Sequence, residues 1–217
     1  MHKYIGDGFI TRNYFINSEK LYEAWGKSFN SLPKEIQVWN KEIIYRAHIV
    51  TWAANQVKHL KGDFVELGVF YGHLSNVIVN YDPSILNNRK FYLVDPWGEL
   101  GESAFTNPLY NYDIFDAVKK RFSSTKNIYF IRGTVPNVLI DIEVESVALL
   151  MIDMNGHEAE LAALEFFYEK MVKGGIIYFD DYGGRWGKLR EVVDTFILDK
   201  PETLLTFISP NAILIKQ

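Results

Sequence analysis

Short apolar runs alternate with segments of helical periodicity from residue 62 to the C-terminus. The runs end in polar residues or glycine and have the length of buried strands. They predict five strands, at residues 64–67, 91–95, 128–131, 147–152 and 176–179. The periodic segments between and after them predict helices at residues 74–80, 114–122, 158–172 and 188–198.

This alternation of strand and helix predicts an α/β fold. Apolar strands without polar alternation are buried on both faces, which is typical of a parallel sheet covered by helices. Two further apolar runs, 204–208 and 212–215, flank the turn residues Ser209-Pro210-Asn211, so we expect an antiparallel hairpin at the sheet edge. The pattern as a whole predicts a Rossmann-like, doubly wound sheet that is mostly parallel.

The first 60 residues differ from the rest because they are rich in aromatic side chains. Apolar residues recur at helical spacing from residue 42 to 60, and Lys61-Gly62 ends that segment. We therefore expect an N-terminal helical cap at residues 1–60, in one domain with residues 61–217. The aromatic residues predict packing and self-association into a homo-oligomer, with a lid over a ligand as the alternative.

Composition narrows the classes of partner. The 217 residues carry a net charge of −4 with both signs mixed along the chain, which does not favour nucleic acid. The chain has no cysteine, so disulfides and thiolate chemistry are excluded. No apolar run is long enough to cross a bilayer and the N-terminus lacks a signal peptide, so we expect no membrane partner and a cytoplasmic location.

Polar residues follow the predicted strands at the edge where open α/β sheets bind their ligands. Four of the five strand ends carry acidic residues, and together the five predict a lined site. In chain order these residues are Glu66 and Gly68, Asp95, Arg132-Gly133-Thr134, Asp153, and Asp180-Asp181.

The turn after the first strand indicates which ligand the site binds. Gly68 and Gly72 enclose Val69-Phe70-Tyr71, whose side chains would obstruct the pyrophosphate of a dinucleotide. S-adenosylmethionine has no phosphate, and this turn can accept its amino-acid end. Asp95, at the end of the next strand, is placed to accept hydrogen bonds from both ribose hydroxyls.

These motifs resemble a known family. They read Val65-Glu66-Leu67-Gly68-Val69-Phe70-Tyr71-Gly72, Val94-Asp95-Pro96-Trp97, Ile152-Asp153 and Phe179-Asp180-Asp181-Tyr182-Gly183. They resemble class I S-adenosylmethionine-dependent methyltransferases and, more narrowly, the macrocin O-methyltransferase family, which methylates sugar hydroxyls with the help of magnesium. Catechol O-methyltransferase is a more distant likeness. The resemblance covers residue 62 to the C-terminus, and the double aspartate followed by Tyr-Gly is its most specific part.

The resemblance implies a cofactor site along the first strand ends. The glycine turn would hold the methionine end, Asp95 the ribose, and the turn after the third strand would lie near the adenine. The cofactor-binding residues implied in this way are Glu66, Gly68, Tyr71, Gly72, Ser75, Asp95, Trp97, Gly133, Thr134 and Asp153.

The same resemblance implies a metal site formed by Asp153, Asp180 and Asp181. Carboxylate oxygens from adjacent strand ends are hard ligands that suit Mg²⁺, which keeps other positions for water or substrate oxygens. A bound dication also lowers the pKa of a coordinated hydroxyl, which turns a poor nucleophile into a usable one.

One departure from the family pattern leaves the proton acceptor open. The family has a second aspartate two residues after the first, in the position of a general base, and here that position is Asn155. Asn155 also fits a helix N-cap with Glu158 at N3. His157 is the nearest residue with a suitable pKa range, so Asp153 and His157 are the catalytic candidates, with a hydroxide on the metal as the alternative base.

Two loops are expected to border the acceptor pocket. Arg185 and Trp186 follow the aspartate pair, where an indole can stack on a sugar face and a guanidinium can hold a phosphate or carboxylate. A glycine-hinged surface loop is the alternative there. Phe105, Tyr110 and Tyr112 are similar candidates after the second strand.

We therefore predict an S-adenosylmethionine-dependent O-methyltransferase that uses Mg²⁺ and acts on a small hydroxylated acceptor, with a sugar or sugar nucleotide favoured by the resemblance. One alternative is a nicotinamide-dependent oxidoreductase on the same fold, which the obstructed turn argues against. The other is a non-catalytic module, suggested by Asn155, that binds S-adenosylmethionine but never releases S-adenosylhomocysteine.

Overall fold

The structure of the protein, a computed structural model, describes residues 2–5, 8–11, 18–40, 44–98, 113–183, 187–207 and 209–217. Within these ranges there are nine strands: β1 His2–Ile5, β2 Gly8–Thr11, β3 Asp63–Leu67, β4 Phe91–Asp95, β5 Ile128–Arg132, β6 Val147–Ile152, β7 Met171–Phe179, β8 Leu204–Thr206 and β9 Ala212–Ile215.

The same ranges contain seven α-helices: α1 Glu19–Asn30, α2 Lys34–Asn40, α3 Ile44–Val57, α4 His73–Tyr81, α5 Phe115–Arg121, α6 His157–Phe167 and α7 Gly187–Ile197. Short 3-10 helices occupy Pro83–Leu86, Leu139–Asp141 and Tyr168–Lys170. Among the described helices, none combines the length and apolar character required to cross a membrane.

Seven strands form the central sheet in the order β5-β4-β3-β6-β7-β9-β8. The pairs from β5 to β7 are all parallel, whereas β7 with β9 and β9 with β8 are antiparallel. The predicted mostly parallel sheet with a C-terminal antiparallel hairpin is therefore confirmed. Because neighbouring parallel strands end at one edge, this order brings the ends of β4, β3, β6 and β7 side by side.

Each face of the sheet has its own buried core, which explains why the strands are apolar at successive positions. Phe64 belongs to a buried cluster with residues of α1, α3, α4 and α5, and its neighbour Val65 belongs to another with residues of α6 and α7. Alternate side chains of a strand point to opposite faces, so a strand covered on both sides has no polar face.

The segment before residue 61 contains α1, α2 and α3, together with a hairpin of β1 and β2 that the sequence pattern did not predict. Ser18 caps α1, and its Oγ accepts a hydrogen bond of 3.2 Å from the amide of Leu21. Leu21, Ala24 and Ser28 form the buried face of this helix. The assignment of residues 1–60 to the domain that follows stays a prediction.

One predicted helix boundary is wrong. The helix expected at 158–172 ends at Phe167, and β7 begins at Met171 with Gly174 and Gly175 inside the strand. Met171 pairs with Val147, but the register shifts before Leu149 pairs with Ile176, so the two glycines lie in an irregular part of the ladder. The apolar run at 171–172 fits either element by its pattern alone.

Candidate active site

The carboxyl edge of the sheet gathers the acidic residues predicted to line a site. Asp95 is the last residue of β4, and Glu66 lies one residue before the end of β3. Asp153 follows β6 directly, and Asp180 follows β7. Since β4, β3, β6 and β7 are successive neighbours, all four carboxyl groups belong to one edge.

Gly68 joins the glycine turn to the acidic side of the site. Its φ of +85° lies in the left-handed region, and a Cβ placed there would be 1.8 Å from the carbonyl oxygen of Asp153. Gly72, with φ of +66°, precedes the first residue of α4, and its added Cβ would lie 2.7 Å from the ring of Phe122. Both glycines are therefore required by close packing as well as by backbone conformation.

Asp95 holds the glycine turn with its carboxylate. Oδ2 accepts hydrogen bonds of 2.8 Å from the amides of Val69 and Phe70, and Oδ1 accepts one of 2.7 Å from the amide of Trp97. Removal from water raises the pKa of Asp95, and the three amide bonds partly oppose this rise. Asp95, which is predicted to bind the ribose, therefore also holds the turn that would bind the methionine end.

Two predicted cofactor contacts are buried polar groups without a hydrogen-bond partner among the described residues. They are Oε2 of Glu66 and Oγ of Ser75, and both residues are almost completely buried. Burial raises the pKa of Glu66 well above its usual range, and the charges of Asp95 and Asp180 add to this. Buried polar atoms of this kind normally have a partner, so a bound ligand is one way to satisfy them.

The structure places Trp97 in the core behind the turn. Its side chain is only 1% exposed, and its indole Nε1 donates a hydrogen bond of 2.8 Å to the carbonyl of Phe70. Its ring also packs against Phe115, with 4.9 Å between ring centroids. In this conformation the indole supports the turn and offers little surface to an adenine.

The turn after β5 lies beside Asp95, as expected for a region near the adenine. The amide of Gly133 donates a hydrogen bond of 3.1 Å to the carbonyl of Asp95, and Thr134 follows it. Tyr71 is half-buried within the glycine turn and packs edge-to-face on Phe70. Burial raises the pKa of Tyr71, and the negative charge of Glu35 in α2 acts in the same direction.

Asp153, Asp180 and Asp181 form a compact acidic cluster. One carboxylate oxygen from each lies within 4.8 Å of the others. Removal from water raises the pKa of Asp153 well above its usual range, and the negative charge of Asp180 adds to the rise while Arg46 opposes it. The three carboxylates predicted at two adjacent strand ends therefore lie together as a geometric cluster.

Asp180 is the most extensively bound member of the acidic cluster. Its Oδ1 accepts hydrogen bonds from the Tyr178 hydroxyl at 2.5 Å and from Nδ2 of Asn211 at 3.0 Å, and its Oδ2 forms an ion pair with Arg46. The pattern of strand ends did not predict any of these partners. The sequence does mark Arg46 as unusual, because it is a charged residue within a helix whose other residues are mainly apolar.

The predicted N-cap of α6 is wrong. Gly156 precedes the first helical residue and no side chain caps the helix, while Asn155 adopts a left-handed φ of +57°. Asparagine tolerates this conformation better than most residues, so Asn155 suits a turn that precedes the helix. His157, the predicted base, is the exposed first residue of α6.

Glu160 is a titratable residue near the cluster that the sequence reasoning missed. It is 5% exposed, and burial raises its pKa to about 8, with the charges of Asp181 and Asp180 acting in the same direction. Leu161 fits an apolar stripe with Leu164 by its spacing, but it is 37% exposed, whereas Glu160 is buried on the same helix. A stripe containing Ala163, Leu164 and Phe167 would have identified it.

Several residues predicted to border the acceptor pocket lie outside the described residues. These are Phe105, Tyr110 and Tyr112, between β4 and α5 in the sequence, and Arg185 and Trp186, before α7 in the sequence.

Solved structures of methyltransferases share this architecture. NovP, an O-methyltransferase, has a TM-score of 0.69 at 20% identity over 80% of each chain. CalS11, a TDP-rhamnose 3′-O-methyltransferase of calicheamicin biosynthesis, has a TM-score of 0.59 at 21% identity over 95% of this chain and 96% of that chain. The S-adenosylhomocysteine-bound methyltransferase PaMTH1 of Podospora anserina has a TM-score of 0.57 at 12% identity over 92% and 88%. The fold is thus the Rossmann-like fold of class I methyltransferases.

The sequence profile of the macrocin-O-methyltransferase (TylF) family matches residues 46–203, and the chain belongs to this family. It is therefore an enzyme, an S-adenosylmethionine-dependent O-methyltransferase. No curated protein matches the sequence. The predicted family and the O-methyltransferase class are confirmed, and the family membership counts against both the oxidoreductase and the non-catalytic module.

Proposed function

We propose that the enzyme methylates a hydroxyl of a small acceptor, with a sugar or sugar nucleotide as the leading class, and that it uses Mg²⁺. The observation that carries this proposal is the acidic cluster of Asp153, Asp180 and Asp181, whose oxygens lie within 4.8 Å of one another. The cluster lies beside the glycine turn, because Gly68 packs against the backbone of Asp153. The similarity to CalS11, a TDP-rhamnose methyltransferase, supports the acceptor class.

The glycine turn suits the amino-acid end of S-adenosylmethionine. Glu66 offers a buried carboxylate to the positively charged amino group, and Ser75 offers a buried hydroxyl without a partner among the described residues. When bound, the cofactor supplies a methyl group already activated by its sulfonium. What remains for the chain is in-line positioning of the acceptor, which can contribute as much as roughly 7–11 kcal/mol.

The acidic cluster suits a divalent cation on chemical grounds. Its carboxylates are hard oxygen donors, and the high pKa of Asp153 reflects desolvation and repulsion that a cation would relieve. Asp153, Asp180 and Asp181 would hold Mg²⁺, which would lower the pKa of an acceptor hydroxyl that coordinates it. Asp153 belongs to the cluster and its backbone lies against Gly68 of the glycine turn, so we place it in contact with both the cofactor and the metal ion.

We place the proton acceptor on the first turns of α6. His157 is exposed at the start of this helix, and Glu160 is buried one turn later beside Asp181. His157→Gln and Glu160→Gln distinguish them in kcat measurements. The variant that loses the proton acceptor should fall by about 100-fold or more, and the other should change little.

A pocket of about 220 Å³ adjoins the cluster and supports a site for part of the acceptor. Asn211 lines this pocket and also donates to the carboxylate of Asp180, while Tyr182 and Arg190 form another part of its wall. A guanidinium at this position suits the phosphate of a sugar nucleotide.

Self-association and a cytoplasmic location stay predictions.

Calorimetry and product analysis test the proposed function. We expect binding of S-adenosylhomocysteine and none of NAD, and release of S-adenosylhomocysteine when a panel of sugar nucleotides, sugars and phenols is offered. Asp180→Ala with Asp181→Ala should abolish the Mg²⁺-dependent turnover. Normal turnover by this double variant would overturn the metal assignment, and turnover of phenols alone would overturn the acceptor class.

A further inference from the structure

A half-buried arginine is already paired with one member of the acidic cluster. Arg46 lies near the start of α3, and its guanidinium forms an ion pair with Oδ2 of Asp180. The Asp180 side chain is completely buried, whereas 23% of the Arg46 side chain is exposed. The pair joins the segment before the sheet to the end of β7, more than 130 residues away in sequence.

The remaining donors leave Asp180 little room for another cation. Oδ1 accepts from the Tyr178 hydroxyl and from Asn211, at 2.5 and 3.0 Å. A carboxylate has about four lone-pair positions, so with Arg46 on Oδ2 only one remains. A divalent ion that binds Asp180 must share the carboxylate with the guanidinium or displace it.

We propose that Arg46 is the resident counter-cation of the acidic cluster and competes with a divalent metal ion for Asp180. This inference rests on the proposed function, because it assumes that the cluster takes a metal. Arg46 holds Asp180 in place when no metal is bound, since a buried carboxylate without a partner is costly. The same charge repels a divalent ion within a few ångströms and weakens its binding.

Arg46→Gln tests the competition by removing the charge while keeping a polar side chain. We expect its affinity for Mg²⁺ and Mn²⁺, measured by calorimetry with the metal chlorides alone, to rise by about tenfold or more over wild type. Lys119→Gln removes one positive charge from the exposed surface of α5 and is the matched control, with an affinity near that of wild type. Equal or weaker binding by Arg46→Gln, including no binding by either protein, overturns the proposal.

A second background locates the competition at Asp180. In Asp180→Asn, the same Arg46→Gln change should raise divalent affinity by less than it does in the wild-type background, because the shared ligand is absent and only the charge repulsion remains. A full tenfold gain in that background would overturn competition at Asp180. Arg46→Met, which keeps the unbranched apolar stem, replaces Arg46→Gln if the latter does not fold. Titration of S-adenosylhomocysteine into each protein tests the methyltransferase site separately.

Discussion

Glu160 shows how one buried carboxyl group makes the stability of this protein depend on pH. It is buried on α6, and its pKa rises from 4.5 to about 8 because burial disfavours the ionised form. The folded state therefore binds a proton that the unfolded state releases between these two pH values. The stability that the protonated group contributes is present below pH 4.5 and is lost as pH rises through about 8.

Glu160→Gln should remove this pH dependence. We expect the stability of the variant relative to wild type to increase from pH 4.5 to about 8, by roughly 1.4 kcal/mol for each pKa unit of the difference. Urea unfolding of the metal-free proteins across this range measures it. Glu165→Gln, an exposed residue of the same helix, is the control. A constant difference between Glu160→Gln and wild type would contradict the raised pKa.

Gly68 offers a second test at the scale of a single residue. Gly68→Ala forces a Cβ to within 1.8 Å of the Asp153 carbonyl oxygen at a φ of +85°. We expect destabilisation by more than about 2 kcal/mol and weaker binding of S-adenosylhomocysteine, because the turn must shift. Gly26→Ala is the matched control, since its Cβ meets nothing within 4 Å on helix α1, and it should stabilise by about 0.5–1 kcal/mol. Equal effects of the two changes in thermal unfolding would count against this account of Gly68.

The residues of the site divide into those the sequence could predict and those it could not. Asp95, Asp153 and Asp180 were predictable because strand ends in a parallel sheet converge by topology. Arg46 and Glu160 reach the site from helices, and how a helix docks on the sheet does not follow from local pattern. Their positions depend on packing between segments far apart in sequence.

At the scale of elements, a buried polar network connects α1 with the end of the glycine turn. Oγ of Ser28 lies 2.7 Å from Nδ1 of His73, the first residue of α4, and Nη2 of Arg121 in α5 donates to Ser28 at 2.6 Å. Burial and the charge of Arg121 lower the pKa of His73 to about 3, so its ring is neutral. The network fixes three helices at the residue that follows Gly72.

Ser28→Ala should loosen this junction. We expect a loss of about 1–3 kcal/mol in unfolding free energy, because buried polar groups of His73 and Arg121 lose a partner. Binding of S-adenosylhomocysteine should also weaken, since α4 begins directly after the glycine turn. Ser123→Ala, an exposed residue after α5, should stay within about 0.5 kcal/mol of wild type. A neutral Ser28→Ala in both measurements would mean that the network positions nothing.

The elements themselves were predictable where their period was clear. β4, β6 and β9 have the predicted bounds, because each has a clear apolar run with polar residues at its ends. The boundary between α6 and β7 was wrong because Met171 and Val172 fit both a helical stripe and a strand. Only pairing with β6 decides it, and that contact is not local.

At the scale of the whole molecule, one core includes residues from both ends of the chain. Leu21 and Ala24 of α1 belong to the same buried cluster as Phe64 of β3, Val77 of α4 and Ile213 of β9. Helix α3 packs on the sheet at β6 and β7, and α1 packs on α3 and α4. This packing is the physical basis for expecting residues 1–60 and 61–217 to unfold together.

Leu21→Ala tests that expectation because Leu21 is 1% exposed within this shared core. We expect a loss of about 2–5 kcal/mol, as for other large-to-small changes in a core. Far-UV circular dichroism and tryptophan fluorescence should report one coincident transition in urea, shifted equally in both signals. Tyr22→Ala, on the exposed side of the same helix, should leave the midpoint nearly unchanged. Two separate transitions, or a shift confined to one signal, would show that the N-terminal segment folds independently of the methyltransferase sheet.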